Sequence, residues 1–166
     1  LLDFKQRGEI PERITHNDTK LNNVMLDDVN GHAVCVIDLD TVMPGLSLYD
    51  FGDMARTAAN SAVEDETDLS RVEIKLPIFE ALVQGYLASA GRLLNDVEIG
   101  HLAFAARLIT FEIGLRFLTD HLDGDIYFKI HRKGHNLDRC RCQFALVRSM
   151  EAHAAEMDRI VDRLAP

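Results

Sequence analysis

HNDTKLNNVMLDDVNGHAVCVIDLD, running from His16 to Asp40, is the stretch on which the reading of this chain turns. Its first eight residues fit the pattern H-x-D-x-K-x-x-N, with His16, Asp18, Lys20 and Asn23 at the fixed positions. Two β-type runs follow, VMLD and AVCVID, with Asn30-Gly31 between them. An Asn-Gly pair between such runs is a strong short-range hairpin signal. The second run closes on Asp38, fifteen residues after Asn23. A carboxylate, a lysine and an amide on one loop are therefore set near a second carboxylate at the end of a returning strand.

Those residue types, in that order, suit phosphoryl transfer. One carboxylate, Asp18, orients the attacking hydroxyl and accepts its proton. The amide of Asn23 and the carboxylate of Asp38 offer hard oxygen ligands for Mg²⁺, which keeps several waters and takes only one or two carboxylates. Asp40 reads either as a second, looser ligand or as a turn residue. Lys20, two residues past the base, can neutralise charge on the moving phosphoryl group or can be an ordinary surface lysine. Taken alone, Asp18 would read as a turn or capping aspartate. The full pattern, with the hairpin and its terminal acid, is what favours chemistry.

Outward from the loop, the first forty residues have strand and turn character. From about Leu76 the pattern becomes helical. Phe79, Leu82, Val83, Tyr86, Leu87 and Ala90 recur at helical spacing, with Pro77 suited to a first turn and Gly91 to an end. Asn95-Asp-Val-Glu98 resembles a capping box and opens a second helix through about Thr119. A third helix starts near Asn136 and carries a long apolar stripe from Phe144 to Leu164. The expectation is an α+β, mostly α fold: a short β hairpin followed by a helical bundle, as one domain over 1–166. The acidic segment SAVEDETD, Ser61 to Asp68, reads as a loop with the potential to move.

Composition narrows the classes of function. A chain of 166 residues with 47% hydrophobic and 27% charged residues reads as a globular protein with a sizeable core. A net charge of −9 argues against general nucleic-acid binding, and no apolar run approaches the roughly 20 residues of a membrane span. Nor does the N-terminus carry the charged-then-apolar pattern of a secretory signal. Between Lys129 and Arg148, six Lys/Arg face the single acid Asp138, which reads as a solvated helix face or as an anion site. Cys35, Cys140 and Cys142 show neither disulfide nor zinc spacing, which points to a reducing compartment and hence the cytoplasm. CQFALVR matches the C-x5-R spacing of cysteine phosphatases, but it lacks the glycine-rich anion loop and reads as mid-helix.

The loop and hairpin, joined to VIDLDTVMPG, YDFGDMAR and YFKIHRKGHNLDRCRCQFALVRS, resemble the protein-kinase-like small-molecule phosphotransferases, the aminoglycoside and choline kinase superfamily. Within it the chain is most similar to the bacterial N-acetylhexosamine 1-kinases, over about Ile14 to Met150. The resemblance implies the C-terminal lobe of a protein-kinase-like fold, ATP and Mg²⁺ as cofactors, and a small-molecule sugar as substrate. The γ-phosphate would pass to the anomeric hydroxyl of an N-acetylhexosamine, with Asp18 as base. It further implies that Arg116 and Tyr127 hold the sugar, although an arginine in a helix is more often an ion-pair residue. His16 matches the histidine that braces the loop by hydrogen bonding.

Asp50-Phe51-Gly52 spells the metal-binding DFG of protein kinases, yet it lies twenty-seven residues past Asn23, beyond the hairpin. Asp38 has the geometry of the metal ligand, and Asp50 matches a structural aspartate beneath the catalytic loop. Asp53 and Arg56 read as an i, i+3 ion pair. A kinase of this type also needs an N-terminal lobe with a glycine-containing lid and a strand lysine. Only fifteen residues precede His16, so that lobe is expected to be absent here and the isolated lobe to be nearly inactive. The alternatives are a same-fold kinase for an aminoglycoside or amino alcohol, a non-catalytic sugar- or partner-binding module, and metal-assisted hydrolysis through His16, Asp18, His32 and Asp38.

Overall fold

The computed structural model describes residues 1–166. In chain order the elements are α1 (Leu2–Gln6), β1 (Arg13–Thr15), β2 (Val24–Leu26), β3 (Ala33–Val36), β4 (Met43–Gly45), α2 (Ser47–Ala58), α3 (Leu76–Ala90), α4 (Asp96–Gly100), α5 (Leu102–Leu122), α6 (His135–Ala152) and α7 (Ala154–Leu164). Single 3-10 turns cover Leu21–Asn23, Leu39–Thr41 and Leu69–Arg71. The molecule is mostly helical, with two antiparallel two-stranded sheets near its N-terminus. No helix is long and apolar enough to cross a membrane.

The β2–β3 hairpin pairs Val24 with Val36 and Met25 with Cys35, then shifts register before Leu26 meets Ala33. Its connection is a six-residue loop, Asp27–His32, rather than a two-residue turn. Asp27 Oδ1 accepts the N–H groups of Val29 and Asn30, and Gly31 takes a φ of +71° that glycine adopts without strain. The second sheet was not evident from sequence: β1 pairs with β4, Thr15 opposite Met43. It brings the two ends of the 16–42 segment together and so closes the catalytic loop and hairpin into one excursion.

Helix α5 is the axis of the bundle, with α2 on one side and α6 on another. The close approach of α2 depends on Gly52. A Cβ there would stand 2.5 Å from Ile109 Cγ1 and 2.6 Å from the Ala105 carbonyl oxygen. Phe51 beside it is fully buried, 6.0 Å from the Phe79 ring in an edge-on contact and 5.2 Å from Tyr86. Such a side chain contributes about 2–3 kcal/mol by burial alone. Two letters of the DFG lookalike are thus core packing. Burial also pushes the Tyr86 phenol up to about 12, and its O–H donates to the Ser47 carbonyl.

The expected helices are present, but two of them are divided. The capping box is formed: Asn95 Oδ1 accepts the Glu98 N–H, and Glu98 Oε2 accepts the Asn95 N–H. Yet the helix it opens breaks after one turn at His101, and the long C-terminal helix breaks at His153. Each histidine turns its Nδ1 onto the carbonyl four residues back, Val97 at 2.6 Å and Ser149 at 2.8 Å. Helix α2 precedes the expected helical onset at Leu76, and α1 adds a short helix where strand character was expected. Glu98 is fully buried and takes two hydrogen bonds of 2.8 Å from Arg13 and one of 2.7 Å from Ser47 Oγ. That cluster pins β1 to the helical bundle, next to the loop it feeds.

The acidic segment is tied down rather than loose. Glu64 pairs with Arg56 at 3.0 Å and with Arg139 at 3.4 Å, and Asp65 pairs with Arg132 at 3.3 Å and His135 at 3.1 Å. Much of the basic stretch is therefore spent on internal acids.

Candidate active site

Asp18 stands on the loop between β1 and β2. The preceding residue, Asn17, has a φ of +62°, a left-handed conformation that Asn tolerates better than most residues. Its Nδ2 donates to the Thr41 carbonyl at 3.0 Å, tying the loop to the far end of the hairpin. Asp50, in the first turn of α2, accepts the N–H groups of His16 at 2.8 Å and of Asn17 at 2.7 Å. His16 Nε2 donates to the Ile37 carbonyl at 3.0 Å, and Thr41 Oγ1 donates to the His16 carbonyl at 2.6 Å. His16 and Asp50 thus act on the loop's backbone and not on its open face.

The open face belongs to Asp18, Lys20 and Asn23. Asp18 Oδ2 receives Lys20 Nζ at 2.6 Å and Asn23 Nδ2 at 2.8 Å. Partial burial works against ionisation of Asp18, but the hydrogen bonds from Lys20 and Asn23, with the charges of Lys20 and His16, outweigh it. The carboxyl is held below its usual range. At neutral pH it is an anion whose Oδ2 is already engaged, so Oδ1 remains for an incoming hydroxyl.

Asn23 is buried and spends its Nδ2 on Asp18, while its Oδ1 accepts no hydrogen bond. Its carbonyl accepts the Ile37 N–H at 2.9 Å, which brings Asp38 to the same end of the hairpin. Asp38 has a φ of +63° and is exposed, as is Asp40 two residues on, and neither side chain enters a hydrogen bond or ion pair. An amide oxygen with free carboxylates is a hard donor set, and it fits Mg²⁺. No group of three or more His, Cys, Asp or Glu side chains gathers as a metal site, so His16, Asp18, His32 and Asp38 do not form the centre that metal-assisted hydrolysis needs.

Asp18 and Lys20 open into a cavity of about 1080 Å³ that runs between the loop, α2, α5 and the start of α6. Arg116 and Tyr127 line the same cavity, although about a hundred residues separate them from Asp18 in the chain. The Arg116 guanidinium lies 5.8 Å from the Tyr127 ring centre and 5.5 Å from that of Phe128, with Glu112 3.9 Å away along the helix. Tyr127 sits in a loop held by a single carboxylate. Asp120 accepts the N–H groups of Ile126 at 2.9 Å, Tyr127 at 2.7 Å and Phe128 at 3.0 Å, and Asn136 Nδ2 at 2.7 Å. These four bonds outweigh the cost of burial and hold the Asp120 carboxyl below its usual range.

Several residues of this cavity carried no sequence signal of their own, Asn17, Phe128 and Gln143, while Lys129 and Glu64 come from the basic stretch and the acidic segment. Asp53 and Arg56 form the i, i+3 pair, 2.7 Å apart, but the pair is buried in the cavity wall and not displayed on a free helix face. Cys140 and Cys142 lie inside α6, where burial raises both thiols, in keeping with packing and not nucleophilic use.

The model of the phosphotransferase enzyme family (APH) matches residues 2–94, more than half of the chain, and the protein belongs to that family. The matched span includes the whole candidate loop around Asp18, the hairpin and the bracing helix α2. Phosphotransferase chemistry is the activity of this class.

Proposed function

We propose that this chain is the C-terminal lobe of a protein-kinase-like, ATP- and Mg²⁺-dependent sugar kinase, and that it phosphorylates the anomeric hydroxyl of an N-acetylhexosamine. The observation that carries the reading is the shared cavity: the free face of Asp18 opens into the same space as Arg116 and Tyr127. Asp18 accepts the proton of the acceptor hydroxyl through Oδ1, and Lys20 keeps that carboxylate ionised and adds positive charge where phosphate arrives. Arg116 and Tyr127 offer a donor fork and an aromatic face, a pairing that suits a sugar ring.

Asn23 through Oδ1 and Asp38 through its carboxylate would hold Mg²⁺, with Asp40 the looser candidate. Bound there, the ion supplies charge neutralisation for the nucleotide phosphates. Val34 and Val36 on one face of the hairpin and Met25 and Ile37 on the other are exposed, and these apolar positions support a covering lobe of the same protein, contributed from outside these residues. An ATP-dependent reaction and three free cysteines fit the cytoplasm.

The same cavity weighs against a polycationic aminoglycoside acceptor. Its lining includes Lys20, Arg56, Arg116, Lys129 and Arg139 against Asp18, Asp53, Glu64 and Glu112, so it is not an acidic pocket. The test is transfer by the natural full-length protein from Mg-ATP to GlcNAc, GalNAc, glucose, choline and an aminoglycoside, with Asp18→Asn as control. Phosphate on the sugar's C1 hydroxyl, lost in the variant, is the expected result. Transfer only to choline or the aminoglycoside would move the substrate. No transfer to any acceptor would overturn the catalytic reading.

A further inference from the structure

Two buried polar atoms on side chains of one cavity wall have no partner, Asp53 Oδ2 and Gln143 Oε1, while Arg139 Nε beside them has only an ion-pair contact of 3.4 Å with Glu64. Buried polar atoms are nearly always paired, so two orphaned acceptors on residues of one cavity wall call for an explanation. They belong to a continuous structure. Asp53 gives its other oxygen to Arg56 at 2.7 Å, Arg56 reaches Glu64 at 3.0 Å, and Glu64 reaches Arg139 at 3.4 Å. Gln143 follows Arg139 by one turn of α6, on the same face.

The wall is also rigidly made. Gln143 is 1% exposed and packs on α5 at Gly114, where a Cβ would stand 3.2 Å from Gln143 Cβ. The Arg139 guanidinium lies 5.3 Å from the Phe117 ring centre. Its charges balance, two acids against two arginines, so it offers no net attraction to an anion or a polyamine. What remains unmet is two acceptors. Hydroxyl groups, each able to donate and accept, are the complement.

We infer that Asp53 and Gln143, with Arg139 beside them, form a subsite that grips the uncharged, hydroxyl-bearing body of the acceptor, with hydroxyls donating to Asp53 Oδ2 and Gln143 Oε1. The chemical class of this ligand rests on the sugar-kinase reading, while the subsite itself rests on the unmatched atoms. Asp18 then works at one hydroxyl of the ring while this wall reads others, and the subsite determines which sugars are accepted.

The experiment uses the full-length protein and measures binding by titration calorimetry and transfer by kcat/KM. The probes are GlcNAc and its 3-, 4- and 6-deoxy analogues. Wild-type protein is expected to bind at least one deoxy analogue on the order of tenfold or more weakly than GlcNAc. Gln143→Leu removes the amide at nearly the same size, and Gln143→Met is a second variant should the first disturb the contact with α5. In either variant that same analogue and GlcNAc should bind within about twofold of each other, since the lost hydroxyl no longer has a partner. Transfer to GlcNAc with no discrimination among the analogues, or discrimination unchanged in both variants, would overturn the subsite while leaving the kinase reading intact. No binding or transfer with any hexosamine would overturn the reading beneath it, and with it the ligand named here.

Discussion

Asp50 and Asn17 meet at 2.7 Å, carboxylate to backbone N–H, and the same carboxylate takes the His16 N–H at 2.8 Å. The residue after Asn17 is Asp18. A side chain on a helix thereby fixes the backbone immediately before the candidate base, thirty-two residues away in sequence. Asp50 and Asp18 are both aspartates near one loop, yet one is built into its frame and the other faces the cavity.

The two should separate under the same substitution. Asp50→Asn leaves one acceptor where a charged one held two N–H groups, and charge-assisted bonds are the stronger kind. It should lower stability by about 1–3 kcal/mol in denaturant or thermal unfolding. Asp18→Asn keeps an oxygen for Asn23 Nδ2 and loses the charge paired with the partly exposed Lys20, so the stability loss should stay within about 1 kcal/mol while transfer falls on the order of 10² to 10⁴. Equal stability losses in both variants would show that Asp18, too, is part of the frame.

Lys20 sets the pH at which Asp18 works. The folded carboxyl lies below its unfolded value near about 3.9, so its contribution to stability is complete above that value. It is lost as pH falls through the lower, folded value. In its proposed role as base Asp18 is ready throughout the neutral range, and the acid limb of kcat/KM in the full-length protein should lie below about pH 4. Lys20→Met removes the strongest donor and should move that limb upward. An acid limb unmoved by the substitution would mean that Lys20 does not hold Asp18 in its ionised form.

The candidate loop and its hairpin were legible because their signal is local: H-x-D-x-K-x-x-N and a hairpin ending in Asp38 lie within one short stretch. The capping box at Asn95 was legible for the same reason. Helix α2 was harder to see because its short apolar row of Leu48, Phe51 and Ala55 shares the buried face with Gly52, Asp53 and Arg56. Its burial is bought with an ion pair and a close glycine contact, neither of which leaves a periodic pattern. The breaks at His101 and His153 depend on a ring nitrogen competing for a helix carbonyl, which spacing does not reveal. The cavity wall of Asp53, Glu64, Arg139 and Gln143 exists only after α2, the acidic segment and α6 have met. No window of sequence contains it.

Gly52 is where the helix contact and the site are mechanically joined. Gly52→Ala would put a methyl against the Ala105 carbonyl, which cannot swing aside, as well as against Ile109. Helix α2 should be forced from α5 at a cost of about 1–3 kcal/mol in unfolding experiments, despite alanine's better helix propensity. Since α2 carries both Asp50 and Asp53, kcat/KM should fall as well. Removing the obstacle with Ile109→Ala should restore part of both losses, and a double variant no better than Gly52→Ala alone would place the strain elsewhere.

Asp120 makes a separate prediction about the acceptor side of the cavity. Its carboxylate takes three consecutive N–H groups, Ile126, Tyr127 and Phe128, and so shapes the loop without reaching the cavity itself. Tyr127 and Phe128 then stand under the Arg116 guanidinium. Asp120→Asn should loosen this arrangement and raise KM for the acceptor more than it lowers kcat, with kcat/KM falling on the order of tenfold to a hundredfold. The nucleotide's KM should be unchanged, because Asn23 and Asp38 lie on the hairpin and not on this loop. A matching control is Tyr127→Phe, which keeps the loop and the ring but removes the hydroxyl. If Asp120→Asn instead raised both KM values together, Asp120 would be holding the whole bundle, and its part in seating the acceptor would be lost.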